Sequence, residues 1–586
     1  MAAPRDPRTR EFTVIGQDPA VRGPGGRIVR ATVAVPAEVL DPGPRGYRVS
    51  VVDYDASTDV LYPPADLGRT AGDRYEGVDD DRLLGDPGFH AQQVYALVMR
   101  TLARFEAALG RHVSWSFRYG HQLQVAPHAF QEANAFYSET DQGLMFGYFP
   151  GARRRTIFTC LSHDVVVHET AHALLDSLRD RYTDDSLPDQ AAFHEGFADV
   201  VALLSVFSLR EVLQALLETS LRARQRRREA ADTTARLRVD QAWLRRSALF
   251  RLAEEMGQEL SAHRGDALRS SLALRPHPGV LDRPEFQPAH RRGEVLVAAV
   301  LGALVRVWAR RLEELGADQG PGGAPRVRRI AEQGAAAAAY LLTVAIRALD
   351  YAPPIDLLFG DYLSALLTAD AELVPGASPF GFREELRASF EEFGILPTSD
   401  ARGLGLWQSP EADPNIADRR ALAYGRVHLE SLQRDPDEVF RFLWENRDTL
   451  GLYPGTYTRV MSVRPCVRVA PDGFVLRETV AEYEQMLDTR GADLRRLGLR
   501  KPAGLADGQP VRLHGGGTLL FDEFGRLKFN VHKRLIGTGQ QRKLDYLFGP
   551  DARLADDEDE DAAAAGRPRR GAVAGHFADL HRLRAV

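Results

Sequence analysis

His168-Glu169-Thr170-Ala171-His172 sets two imidazoles four residues apart with a carboxylate beside the first, and His194-Glu195-Gly196-Phe197-Ala198-Asp199 follows after a short gap. Positions four apart share one face of a helix, so His168 and His172 can reach one metal ion while Glu169, a step round, faces water bound beside it. The pattern reads as the HExxH of a zinc hydrolase, and Glu195 offers a third ligand at the spacing where one is needed. Three protein ligands leave one position open for water, as in a catalytic site; a structural site closes with four. Asp199 shares a face with Glu195, where it can accept the free ring proton of a ligand histidine and fix its tautomer. His194 is the competing ligand, but on a helix it points about 100° away from Glu195.

Both segments require helices. Val165-Val166-Val167 supplies an apolar lead-in, Ala171, Ala173, Leu174 and Leu175 continue a helical pattern, and neither Pro nor Gly interrupts Val165 to Arg179. Ala191 to Leu204 reads as a second helix with Phe193, Phe197, Val200, Val201 and Leu204 on its buried side. The bland alternative is an amphipathic helix with two surface histidines, because HExxH arises by accident in roughly a few per cent of chains of this size and composition.

At this point the residues resemble a family, the thermolysin-like metallopeptidases of the gluzincin group. The run Asp164-Val165-Val166-Val167-His168-Glu169-Thr170-Ala171-His172-Ala173-Leu174-Leu175-Asp176 is similar to that family's DVVxHExTHxxxD segment, with Ala171 at its usual Thr. The pair Glu195 and Asp199 sits where the family has its third zinc ligand and the aspartate behind it. Asn134-Ala135-Phe136-Tyr137 resembles the family's substrate-holding edge strand, which implies that Asn134 and Ala135 bind substrate backbone. Ala267-Leu268-Arg269-Ser270 resembles the segment whose arginine, here Arg269, contacts a substrate carbonyl. His290-Arg291-Arg292-Gly293 resembles the loop whose histidine stabilises the oxyanion.

The resemblance spans about residues 85 to 398 and implies an α+β zincin with a strand-rich N-terminal lobe, a mostly helical C-terminal lobe and a zinc cleft between them. It implies one catalytic Zn2+ held by His168, His172 and Glu195, with Asp164 and Asp199 in support. It also implies that Glu169 acts as general base on a zinc-activated water, and that His290 and Tyr182 stabilise the developing oxyanion. Tyr182 lies one residue out of register and reads equally as a half-buried tyrosine; His290 also reads as the opening of the apolar helix Val295 to Trp308. The family's Asn before the third ligand is His194 here, and Val206, Phe207 and Ser208 stand where its calcium-binding acids lie, so no structural calcium is expected beside the zinc helices.

The helices need a large frame. With 586 residues and 44% hydrophobic content the chain should hold more than one domain, since single cores rarely grow beyond about 300 residues. Residues 1–84 alternate apolar and polar with Gly and Pro turns and read as a strand-rich region; 85–398 is the peptidase-like region. His90 to Leu109 has helical spacing, and Val113 to Val125 reads as strands leading to the Asn134 edge. Residues 399–550 read as a mixed α/β domain with a helix over Asp435 to Leu450 and two hairpins turning at Pro471-Asp472-Gly473 and at Glu523 to Gly525. Residues 551–586, acidic and alanine-rich, read as a largely disordered tail.

A net charge of −6 implies no bulk attraction to nucleic acid or membrane, and the Arg222 to Arg228 run reads as a solvated helix face. The start of the chain has no apolar segment of a secretory signal, and only two cysteines, Cys160 and Cys466, occur, far apart; a cytoplasmic setting is expected. Cys160 has no ligand spacing and reads as core. The expected partners are a peptide or protein substrate and, through 399–550, a further protein captured by edge-strand pairing. Two other readings stay open: a catalytically inactive zincin-fold binding module, and a zinc hydrolase acting on a non-peptide bond.

Overall fold

The computed structural model describes residues 8–68, 72–117, 120–151, 155–184, 186–230 (side chains to 222), 241–244, 271, 274–314, 326–376, 378, 380–398, 403–409, 422–469, 473 and 475–549. The architecture is α+β. Strands β1 (Thr9–Ile15) and β2 (Arg30–Pro36) form an antiparallel pair. The short strands β3 (Val49–Val51), β4 (Tyr54–Asp55) and β5 (Val60–Leu61) follow. After a helical turn α1 (Asp80–Gly85) comes the long helix α2 (Pro87–Leu109). It starts where the Asp86 side chain accepts from the Gly88 N–H, with Pro87 in the first turn. It stops at Gly110, whose φ of 70° closes the cap onto the Glu106 carbonyl.

Strands β6 (Leu123–Phe130), β7 (Ala135–Ser138), β8 (Gly143–Pro150) and β9 (Thr156–Phe158) complete a five-stranded mixed sheet in the order β3-β6-β8-β7, with β9 also paired to β8. β3, β6 and β8 run parallel, and β7 lies antiparallel on β8 as an edge. The expected strand over Val113 to Val125 begins only at Leu123: Val113 and Trp115 are buried without a ladder, Trp115 donating its ring N–H to the Arg48 carbonyl at 3.0 Å. Its alternation therefore reflects packing. Helices α3 (His163–Leu178), α4 (Pro188–Phe207) and α5 (Arg210–Ala230) come next, then the helices Ala289–Glu314, Val327–Arg347 and Phe359–Leu373. α4 crosses both α3 and the helix Ala289–Glu314.

Strands β10 (Tyr457–Val469), β11 (Val475–Arg490), β12 (Pro510–Phe521) and β13 (Leu527–Lys533) form one antiparallel sheet in sequence order. The two expected hairpins are thus joined through β11 and β12. One hydrophobic cluster runs from Phe12 to Ile395 and takes in Cys466, Val480, Leu520 and Phe529 from this sheet. Buried charges tie it down further: Arg179, the residue after α3, pairs with Glu482 on β11, and Arg468 on β10 pairs with Asp350 and Glu478. Arg111 grips Asp350 with two bonds at 2.6 and 2.7 Å, the planar fork geometry that makes such pairs strong. Among the described residues no single helix is long and apolar enough to cross a membrane. The runs 315–325 and 551–586, and most of 399–421, lie outside the described residues.

Candidate metal centre

α3 places His168 and His172 one turn apart, and their Nε2 atoms face each other at 2.8 Å. Glu195, in the middle of α4, sets its carboxylate oxygens 3.7 Å from His168 Nε2 and 3.6 Å from His172 Nε2. One ligand atom from each of the three lies within 4.8 Å of the others, and all three residues are buried. The far ring nitrogens are held as well. His168 Nδ1 lies 2.7 Å from an Asp199 carboxylate oxygen, which can only accept, so His168 Nδ1 carries the proton and Nε2 keeps its lone pair. His172 Nδ1 lies 2.8 Å from His194 Nδ1. Burial pushes the His194 imidazole down to about 4, so at neutral pH it is neutral and able to accept the His172 proton. With the His172 proton on Nδ1, both Nε2 lone pairs and the Glu195 carboxylate meet at one point, a donor set that could hold a metal ion.

His194 is therefore no competing ligand in this geometry. Its signal in the sequence was adjacency to Glu195, which placed it near the site without saying that its ring would meet His172.

Glu169 is wholly buried, and its Oε2 accepts the backbone N–H of Tyr137 on β7 at 3.0 Å. Tyr137 touches α3 a second time through its hydroxyl, which donates to Asp176 at 2.8 Å. The pair of bonds clamps the edge strand along the helix that carries the histidines. The amide of Ala135, which like that of Tyr137 is not spent on β8, is met by the Asn134 side-chain oxygen at 2.8 Å. Asn134 and Ala135 are thus on the edge strand beside the cluster, and Tyr137 joins them as a residue whose role the sequence did not disclose.

The helix Ala289–Glu314 brings His290 to the cluster: its Nδ1 lies 3.0 Å from Glu195 Oε2. Glycine makes this approach possible. A Cβ on Gly196 would stand 2.9 Å from the Gly293 carbonyl oxygen, and one on Gly293 would stand 3.0 Å from the Ala192 oxygen. The two helices therefore cross backbone to backbone next to Glu195.

The structure does not bring Tyr182 to the cluster. Its hydroxyl donates to the Pro353 carbonyl at 2.7 Å and its ring stacks edge-on against Phe193, with no solvent exposure. It is a core tyrosine, buried more deeply than the half-buried alternative. Asp164 sits buried in the first turn of α3, where its charge favours the positive end of the helix dipole. Arg269 lies outside the described residues. Cys160, expected as core, is buried, yet it stands with His90 and His128 in a second group of three possible metal ligands. Spacing gave no hint of it, because 38 positions separate the two histidines.

No model of a known protein family matches the chain, and no curated protein matches it in sequence.

Proposed function

We propose that the chain is a zinc-dependent metallopeptidase of the thermolysin-like gluzincin kind, with His168, His172 and Glu195 holding the ion and Glu169 as general base. The convergence of two oriented imidazoles and a carboxylate, with a second carboxylate one residue from His168, is the observation that carries this reading. When bound, the ion supplies Lewis acidity, polarising a carbonyl and making its water more acidic.

The chain's own residues divide the remaining work. Glu169 takes the proton of the attacking water and hands it to the leaving amine. Its present partner, the Tyr137 amide, points away from β8 on the last strand of the sheet, so an extended peptide added to β7 as a further strand would take its place beside Glu169. Asn134, whose amide side chain already reaches the outward amide of Ala135, is placed to exchange that bond for one to substrate backbone. His290 stands beside Glu195 with its Nδ1 turned to the carboxylate, and exchanging that bond would turn an imidazole donor to a developing oxyanion.

The test is cleavage-site profiling of a peptide library with zinc-loaded wild type and Glu169→Gln side by side. The Gln variant should keep its zinc and lose hydrolysis, because the ligands remain and the base is gone. Hydrolysis retained at wild-type rate in that variant sinks the proposal, and intact zinc binding with no peptide cleaved by the wild type points instead to a non-peptide bond.

A further inference from the structure

Outside the cluster just described, one ligand atom from each of His90, His128 and Cys160 lies within 4.8 Å of the others, and all three residues are buried. They come from α2, from β6 and from the turn Thr159–Leu161 that leads into α3. β6 shifts register against β8 between Ala126 and Phe130. A bulge of this kind re-aims a side chain, and His128 lies within it.

Proton counting makes the cluster unusual. His128 Nδ1 lies 2.9 Å from the Asp53 carboxylate, and His90 Nε2 lies 3.1 Å from the Leu84 carbonyl. Both partners are acceptors, so both of these ring nitrogens must donate. A neutral imidazole has one N–H. With both rings neutral, the two nitrogens left over, His90 Nδ1 and His128 Nε2, both carry lone pairs, and they face each other at 2.8 Å. Two lone pairs at that distance repel unless a proton or a metal ion sits between them, and the thiol of Cys160 beside both makes this a ligand set for a metal. A carboxylate or carbonyl on the far nitrogen is also how metal-ligating histidines are oriented.

The third donor distinguishes the cation. Cys160 adds sulfur, which favours a thiophilic transition metal over a hard ion. Phe158 packs against both imidazoles, with ring centroids 4.7 and 5.0 Å away, and shields the donors from water.

We propose that His90, His128 and Cys160 form a second metal site, taking one thiophilic ion such as zinc and leaving one coordination position to a non-protein ligand, that joins α2 and β6 to the start of α3. It is independent of the peptidase reading. Three elements that carry or flank the first cluster would then share one covalently coordinated joint, in addition to their packing.

Cobalt reports thiolate ligation, because a Co2+–thiolate bond produces an intense near-ultraviolet charge-transfer band that imidazole and carboxylate ligands do not. The full chain is expressed in medium where cobalt replaces zinc, so that the ion enters during folding. The wild type should show the band at an intensity matching one thiolate-bound cobalt per chain, whether or not His168, His172 and Glu195 hold a second ion. Cys466→Ser should keep it, leaving Cys160 as the chain's sole cysteine, and Cys160→Ser should lose it. A wild-type spectrum without the band overturns the proposal on its own, even if Cys160→Ser fails to fold. A band that survives in folded Cys160→Ser, or disappears in folded Cys466→Ser, overturns it equally.

Discussion

Gly196 and Gly293 face each other across the crossing of α4 with the helix Ala289–Glu314, each without room for a Cβ against the other's backbone. Glu195 precedes the first and His290 stands one turn before the second, so the contact sets the 3.0 Å approach of His290 to the candidate third ligand. Gly293→Ala would put a methyl group 3.0 Å from the Ala192 oxygen and the Gly196 nitrogen, and the helices would have to part. Overpacking of this sort costs about 1–3 kcal/mol. The variant should melt lower and bind zinc more weakly than wild type, measured by thermal denaturation and zinc titration. Wild-type zinc affinity in the folded variant would show that the crossing does not position Glu195.

The two candidate histidine ligands are oriented by different partners, Asp199 for His168 and His194 for His172. Removing such a partner typically costs 10–100-fold in metal affinity, roughly 1.4–3 kcal/mol. Asp199→Ala and His194→Phe should each fall in that range in a competitive zinc titration. His194→Asn, which retains a group able to accept the His172 proton, should recover part of the loss. If Phe and Asn at position 194 bind zinc equally well, the His194 contact does not set the tautomer.

Tyr182 is a test of the family resemblance at its weakest point. Its hydroxyl is committed to the Pro353 carbonyl in the core, so Tyr182→Phe should lower stability by about 1 kcal/mol, the usual net worth of one buried hydrogen bond. Turnover of a cleaved peptide should stay within a factor of two of wild type. A fall of a hundredfold or more would place the hydroxyl at the reaction after all.

These cases mark how far the sequence could be read. His168, His172, Glu195 and Asp199 were legible because helix periodicity converts spacing directly into a shared face. The edge position of Asn134 and Ala135 was legible through resemblance, and the two C-terminal hairpins through their turn residues. What stayed hidden depends on partners far away in the chain. Tyr182 is decided by Pro353, the His90 pairing by His128, and the docking of β11 by Arg179 meeting Glu482 across 303 positions. No local pattern encodes those meetings, since each arises only when separate elements pack.

Acid should unfold the protein in two stages with different causes. Burial pushes the His532 imidazole down to about 4, helped by the neighbouring charges of Arg534 and Lys533. Its folded value lies below the ordinary value near 6.5, so its contribution is fully present above about pH 6.5 and is lost as the pH falls towards 4. The slope from one such group is at most about 1.4 kcal/mol per pH unit. Asp350 acts lower down. Burial alone would raise its pKa, but Arg111 and then Arg468 outweigh that and hold the carboxyl well below the usual carboxylate range. Its contribution is present above about pH 4 and disappears only below it. Thermal melts across pH 3 to 8 should therefore show His532→Gln flattening the decline between about pH 6.5 and 4. Asp350→Asn should be destabilised already at pH 7, by about 3–5 kcal/mol, because it leaves two buried guanidinium groups undercompensated. Its difference from wild type should shrink below pH 4, where the unfolded wild-type chain takes up a proton at Asp350 while the folded one keeps its carboxylate. A constant difference down to pH 3 would mean that the folded carboxyl titrates like the unfolded one, so that Arg111 and Arg468 do not hold it down, and that the lower stage belongs to other carboxylates.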